Sequence, residues 1–226
     1  MQRLPAKVLR EGIPYKPDLL LYQVAGEEII LKDYCRKSLL VRNILGVLAS
    51  STEARALRVL EGIQGVPQFR GMPDRCSVAM TYLPCEGMPQ RSQSIAENER
   101  FIRRLEDIVA EMHRRGVVHL DLRHRTNISR SPEGSPVVLD FATAIPLRRN
   151  WFGGSIAFEL LKKVDLLALQ NWTRRLCPHM LCRHELRRAG AVRRLCGEGL
   201  LGQIAAFLLM CFTKPDRKIA ERRRPQ

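Results

Sequence analysis

Apolar positions along this chain recur with two different periods, and the change of period marks out its elements. Residues 19–34 carry large and β-branched side chains, LLLYQV and EIILKDY, on either side of Ala25-Gly26-Glu27, which predicts a β-hairpin. Lys32 lies in its second strand in apolar company. Over residues 50–63, Leu57, Leu60 and Val59 or Ile63 recur at helical spacing and predict a helix. Ser50-x-x-Glu53 at its start has the form of a capping box. A helix that began nearer Asn43 would instead hold Glu53 inside it, within reach of Lys32. Residues 66–70 and 76–83 read as two further strands, the second running into Tyr82-Leu83-Pro84. Residues 95–115 read as an amphipathic helix with Phe101, Ile102, Leu105, Ile108, Val109 and Met112 on one face. His113 near its end is read as a packed structural histidine. Two apolar runs follow, Val117-Val118 and Val137-Val138-Leu139, each leading to a carboxylate, Asp121 and Asp140. With the turn Ser131-Pro132-Glu133-Gly134 between them, they are read as strands of one hairpin. Residues 151–154 read as a loop, and residues 156–172 as a helix containing Asp165. Residues 200–212 are mostly apolar but fall short of the roughly 20 residues that a membrane span needs. They read as a buried closing helix or as one lying in a membrane interface.

The length, 226 residues, suits one compact domain or two small lobes. With 45% hydrophobic and 27% charged residues the chain has the composition of a globular protein, which sets aside the disordered and fibrous classes. Its first ten residues are charged and lack the apolar run of a signal peptide. The seven cysteines are therefore read as reduced thiols, and a cytoplasmic location is expected. Cys177, His179, Cys182 and His184 offer four zinc donors, but their spacing matches no standard finger and the stretch beyond Met180 looks helical. The net charge of +15 concentrates late: residues 174–194 hold seven arginines against one glutamate. The tail, residues 213–226, adds six Lys or Arg against two acidic residues. Such a surface attracts nucleic acid, acidic headgroups or phosphorylated sugars, and a merely solvated basic helix accounts for it about as well.

The chemistry concentrates in VVHLDLRHRTNISRSPEGSPVVLDFATAI, residues 117–145. Asp121 is followed by Leu122, Arg123 and then Asn127, and Asp140-Phe141-Ala142 comes 19 residues after Asp121. This order resembles the catalytic and metal-binding loops of the protein-kinase-like superfamily, His-Arg-Asp-Leu with a following Asn, then Asp-Phe-Gly. The departures are specific. Asn127 stands six residues after Asp121 rather than five, and Ala142 replaces the glycine. No GxGxxG loop precedes Lys32, and no Ala-Pro-Glu triplet lies between Asp140 and Asp165, which stands 25 residues on. Within the superfamily the chain resembles bacterial lipopolysaccharide core kinases of the Kdo and heptose type, and RIO-like kinases. LKDY around Lys32, EARALRVLEGIQGVP from Glu53, HLDLR through Asn127, and LDFATAI carry the resemblance, over roughly residues 20–170.

The resemblance implies an α+β, two-lobed kinase-like fold with a reduced N-lobe lacking a Gly-rich loop. Residues 1–84 would form the small β-rich lobe, residues 85–199 a mainly helical lobe, and residues 200–226 an apolar helix with a basic tail. It implies ATP and Mg²⁺ as cofactors. Lys32, paired with Glu53, would hold the phosphates. Tyr82 and Leu83 would present hinge backbone to adenine, with Met80 near the gatekeeper position. Asn127 and Asp140 would hold metal, Asp121 would orient the acceptor hydroxyl, and Arg123 would offset γ-phosphate charge. Asp165 would brace the catalytic loop. The implied activity is transfer of the γ-phosphate to a hydroxyl of a lipopolysaccharide core sugar or other anionic glycolipid, at the cytoplasmic face of a membrane. A RIO-like serine/threonine protein kinase, whose basic face binds RNA or an assembly partner, is the alternative. A pseudokinase acting as a binding module is the third.

Overall fold

Five short strands pair into one antiparallel sheet: β1 (Lys7–Arg10), β2 (Asp18–Val24), β3 (Glu27–Asp33), β4 (Phe69–Gly71) and β5 (Ser77–Thr81), in spatial order β1-β2-β3-β5-β4. The structure, a computed structural model, describes residues 7–87, 94–147 and 152–181, without the side chains of residues 152–157. β2 and β3 form the predicted hairpin. Ala25 and Gly26 between them both adopt positive φ, 51° and 85°. A two-residue turn of this kind matches the twist of its flanking strands. Glycine takes that conformation freely, whereas an L-residue with a β-carbon pays about 1–2 kcal/mol. Ala25→Asn should therefore raise stability by about 0.5–1 kcal/mol, read as a higher urea midpoint.

In the sheet register Lys32 stands opposite Leu19 on one side and Val78 on the other, in the central strand. β1 has no counterpart among the predicted strands. Its residues, KVLR, are mostly exposed, as suits an edge strand whose charges discourage further pairing.

The helix predicted from residue 50 starts well before it. A π-helical segment, Val41–Gly46, runs directly into α1 (Val47–Val59). A β-carbon at Gly46 would lie 2.7 Å from the β-carbon of Tyr34, so the missing side chain lets this helix close on the end of β3. Ser50 and Glu53 both sit mid-helix and buried, and the Ser50 hydroxyl caps nothing. The capping-box pattern is realised instead at Ser94-x-x-Glu97, which opens α2 (Ile95–Arg114) with both reciprocal hydrogen bonds made.

α2 buries the predicted face: Phe101, Ile102, Leu105, Val109 and Met112 have no exposed surface. They share one core with Ala56, Leu57 and Leu60 from the first helix and its end, and with Val78 and Met80 from the sheet.

The strands β6 (Val117–Val118), β7 (Ile128–Arg130), β8 (Pro136–Val138) and β9 (Ile145–Pro146) correct the expected hairpin. β6 pairs with β9 and β8 pairs with β7. The segment between the two carboxylate-bearing runs turns back to supply β8 with its own partner. α3 (Phe152–Leu176) begins where a loop was expected, because Gly153 and Gly154 fall in its first turn, where a weak helix former is cheap, and α3 then packs along α2.

Cys177 is buried, and His179 Nε2 lies 2.6 Å from Glu99 Oε1, so His179 pairs with α2. Cys182, His184, the apolar run 200–212 and the tail 213–226 lie outside the described residues. Among the described residues no helix is long and apolar enough to cross a membrane.

Candidate active site

The site is anchored from below by Asp165, which has no exposed surface in the middle of α3. One carboxylate oxygen accepts from the His119 N–H at 2.8 Å and lies 3.0 Å from His113 Nε2; the other accepts from the Leu120 N–H at 2.9 Å. Asp165 therefore braces the turn that leads to Asp121, and His113 is packed beside it as expected. Leu120 needs the brace because its φ is +68°, a region that a leucine adopts only under constraint. Trp172 Nε1 donates to the Leu122 carbonyl at 2.9 Å and fixes the turn on its far side.

Two consecutive turns absorb the additional residue between Asp121 and Asn127. Within them His124 N donates to Asp121 O, and Asn127 N donates to His124 O. Asn127 thus returns to Asp121: its Nδ2 donates to the Asp121 carbonyl at 3.0 Å and to Asp121 Oδ2 at 2.8 Å. Its Oδ1 accepts from the Thr126 hydroxyl at 3.2 Å. Burial pushes the Asp121 carboxyl above the ordinary carboxylate range, and the Asn127 amide recovers only part of the shift.

His119 joins the two carboxylate loops. Its Nδ1 accepts from the Asp121 N–H at 3.3 Å, which puts the ring proton on Nε2 for donation to the Leu139 carbonyl at 3.0 Å. Its ring lies 4.8 Å from that of Phe141, which is fully buried. Burial holds the imidazole pKa below its usual 6.5. A depressed histidine contributes stability that is complete above the unfolded value and is lost as pH falls through the folded one. The His119 contribution, read as the difference in urea midpoint between the unmodified protein and His119→Gln, should accordingly decline on acidification from about pH 7.5 to about pH 5, as the protonated ring sets Nδ1–H against the Asp121 N–H. A difference that is flat or rises over that range would contradict the assignment.

Asp140 also has positive φ, +64°, and leads into a single 3₁₀ turn, Phe141–Thr143. Lys32 Nζ, from β3, lies 2.8 Å from Asp140 Oδ1 and 2.7 Å from Glu53 Oε1. The same Glu53 oxygen accepts from the Phe141 N–H at 3.0 Å. One buried carboxylate on α1 therefore holds both the strand lysine and the backbone beside Asp140. Burial alone would push the Lys32 ammonium down, but Glu53 and Asp140 outweigh it and hold its pKa above the ordinary lysine value. Lys32 in turn holds the half-exposed Asp140 carboxyl at about 2, while burial raises that of Glu53. The Asp140 charge lies near enough to push the Asp121 carboxyl up further.

Lys32, Glu53, Asp121, Asn127 and Asp140 are thus gathered in one place, and Arg123 sits half-buried two residues past Asp121. Met80 is buried in β5. The hinge expectation is narrowed: the Tyr82 N–H donates to the Glu28 carbonyl at 2.8 Å and is already spent.

Sequence reasoning passed over Gly12, in the connection between β1 and β2. A β-carbon there would lie 2.2 Å from the Lys16 carbonyl oxygen, so only glycine fits. Gly12 N donates to Asp18 Oδ1 at 2.8 Å, and Lys37 Nζ bridges Gly12 O and Asp18 Oδ1 at 2.8 and 2.7 Å. A lone glycine followed by Pro14 and Pro17 carries no loop signature, so only the tertiary contacts single it out.

No family model and no curated protein matches the chain. Among solved structures it is similar to the Rio2 kinase from Chaetomium thermophilum. The ADP/Mg²⁺-phosphoaspartate complex of that kinase matches with a TM-score of 0.52 and 17% identity, over 96% of this chain and 69% of that one. A second structure of the same kinase matches with a TM-score of 0.52 and 17% identity, over 90% of this chain and 63% of the other. The chain has a protein-kinase-like fold, mixed α and β with an antiparallel sheet. The lipopolysaccharide-kinase side of the sequence resemblance gains no support from these neighbours.

Proposed function

We propose that the protein is an ATP- and Mg²⁺-dependent phosphotransferase acting as a RIO-like kinase on a protein hydroxyl. The observation that carries this reading is Lys32 Nζ held between Glu53 and Asp140 at 2.7 and 2.8 Å, beside the Asp121–Asn127 pair. A purely structural module has no need of a half-buried lysine hydrogen-bonded to two carboxylates, one of them at a positive-φ turn. Support comes from the similar Rio2 kinase, whose structure holds ADP and Mg²⁺.

The donor set fits the metal. Asp140 and Asn127 offer only oxygen, as Mg²⁺ requires, and Mg²⁺ sites commonly use one or two carboxylates with the remaining ligands from phosphate and water. Asn127 Nδ2 is tied to Asp121, and Oδ1, with one lone pair on the Thr126 hydroxyl, keeps a second for the metal. When bound, Mg²⁺ neutralises charge on the phosphates during transfer. Lys32 keeps Glu53 and turns its remaining protons to phosphate oxygens. Leu83 offers backbone to adenine, since the Tyr82 N–H is committed to Glu28. Arg123 offsets charge at the γ-phosphate. Asp121, with Oδ2 held by Asn127, orients the acceptor hydroxyl through Oδ1 and takes its proton late.

A second reading, an anionic glycolipid acceptor, is favoured by one feature. α3 begins at Phe152, only 12 residues after Asp140, which leaves little chain for a peptide-docking segment. The net charge of +15 suits an anionic acceptor as well. Incubating the protein with γ-labelled ATP and Mg²⁺ separates the readings when lipopolysaccharide core, a generic protein and no acceptor are offered in parallel. Label on protein, including the enzyme itself, supports the RIO-like reading. Label confined to the core sugar selects the glycolipid acceptor. ATP binding without transfer in every arm leaves a nucleotide-binding module.

A further inference from the structure

Two Asp-x-Cys segments meet at the end of the sheet. Asp33-Tyr34-Cys35 leaves β3, and Asp74-Arg75-Cys76 enters β5. In each, the aspartate Oδ1 accepts the N–H of the cysteine two residues on, at 2.7 Å in the first and 2.8 Å in the second. The register that sets Asp33 opposite Ser77, with Tyr34 N donating to Cys76 O at 3.1 Å, brings these turns side by side. Cys35 Sγ and Cys76 Sγ come within 2.8 Å of each other. With a carboxylate oxygen of Asp74 they form a group whose donor atoms all lie within 4.8 Å of one another. Among the described residues no ion pair neutralises Asp33 or Asp74.

We propose that Cys35, Cys76 and Asp74 form a binding site for a single thiophilic divalent cation, with Zn²⁺ the best fit. Thiolates select zinc over hard cations, zinc also accepts a carboxylate oxygen, and water can supply the fourth ligand. Binding exchanges two thiol protons for the metal and releases them to solvent. A tetrahedral ion with Zn–S bonds of about 2.3 Å holds its sulfurs about 3.7 Å apart. The present pair must therefore open by about 1 Å, and half-buried Cys35 has the freedom to rotate. The surroundings are built for it. The two aspartate-to-backbone bonds pin both cysteine backbones, and the Ser77 hydroxyl orients Asp74 through Oδ2 at 2.9 Å. Cys76 is buried while Asp74 is exposed, which gives the ion a route in from solvent.

The placement gives the ion a task that is independent of the kinase reading. Cys35 lies three residues past Lys32, and Tyr34 between them packs against Gly46. A bound ion would clip the end of β3 to the start of β5, at the seat of the helix that carries Glu53.

The test uses the full chain, reduced and stripped of metal, titrated anaerobically with Co²⁺. Uptake of one equivalent should produce thiolate-to-cobalt charge transfer and the visible bands of tetrahedral Co²⁺, and Zn²⁺ should erase both. The Cys35→Ser/Cys76→Ser variant should bind at least 100-fold more weakly. The Cys177→Ser/Cys182→Ser variant should match the unmodified protein. Because the first variant risks misfolding, alkylation of the unmodified protein provides a second readout: Zn²⁺ should protect half-buried Cys35 and leave exposed Cys85 reactive. The proposal is overturned by the absence of charge transfer in the unmodified protein, by its survival in Cys35→Ser/Cys76→Ser, by alkylation indifferent to Zn²⁺, or by a Cys35–Cys76 disulfide forming in place of metal uptake.

Discussion

Asp140→Asn is expected to abolish Mg²⁺-dependent ATP binding and to lower phosphoryl transfer by about 10³-fold, the scale on which removal of one preorganised electrostatic group acts. Asparagine is the informative replacement. It tolerates the φ of +64° at this position, so the turn survives and the loss belongs to the carboxylate. Lys32 keeps its bond to Glu53, and the Phe141 N–H keeps the same acceptor, so the neighbouring site stays assembled. Asp121→Asn should behave differently. Nucleotide binding should persist, because no metal is assigned to that carboxylate, while transfer should fall by about 10²–10⁴-fold. Calorimetric titration of ATP with and without Mg²⁺, together with single-turnover transfer, separates the two. Unchanged Mg²⁺-dependent binding by Asp140→Asn, or wild-type transfer by Asp121→Asn, would reverse the assignment.

Asp165→Ala should cost about 3–5 kcal/mol of folding stability, as does removal of one partner from a buried charged network. Its carboxylate has no exposed surface and satisfies the His119 N–H, the Leu120 N–H and His113 together. Without it, one buried and one part-buried donor lose their acceptor, and Leu120 at φ +68° loses its direct brace. Activity should fall along with stability, because the relaxed turn no longer delivers Asp121. His113→Ala should cost less, on the order of 1–2 kcal/mol, because it leaves both backbone bonds in place. Urea unfolding measures both. A loss below about 1 kcal/mol for Asp165→Ala would mean that the turn does not depend on this brace.

Local chemistry was readable in advance. The β2–β3 hairpin follows from apolar runs around an Ala-Gly turn, and α2 follows from a stripe of large side chains with helical period. The order of Asp121, Asn127 and Asp140 already pointed to the kinase-like fold that the solved neighbours share. These features survive because each depends on residues close together in the chain, where propensity and periodicity act. The remainder depended on partners far away. Ser50-x-x-Glu53 and Ser94-x-x-Glu97 have the same pattern, yet only the second caps a helix. In the first, Gly46 lets a longer helix close on Tyr34, and Glu53 is drawn to Lys32 and to Phe141, 88 residues away. β6 and β8 look alike in sequence, but their partners, β9 and β7, are chosen by how the chain folds back. Cys35 and Cys76 are 41 residues apart and become neighbours only through the β3–β5 register. The sequence by itself determined the hairpin, the amphipathic helix and the residues able to do chemistry, since these follow from local composition. Which of those residues meet was decided by the tertiary structure, because burial gives a hydrogen bond or ion pair its value only once distant chain has closed over it.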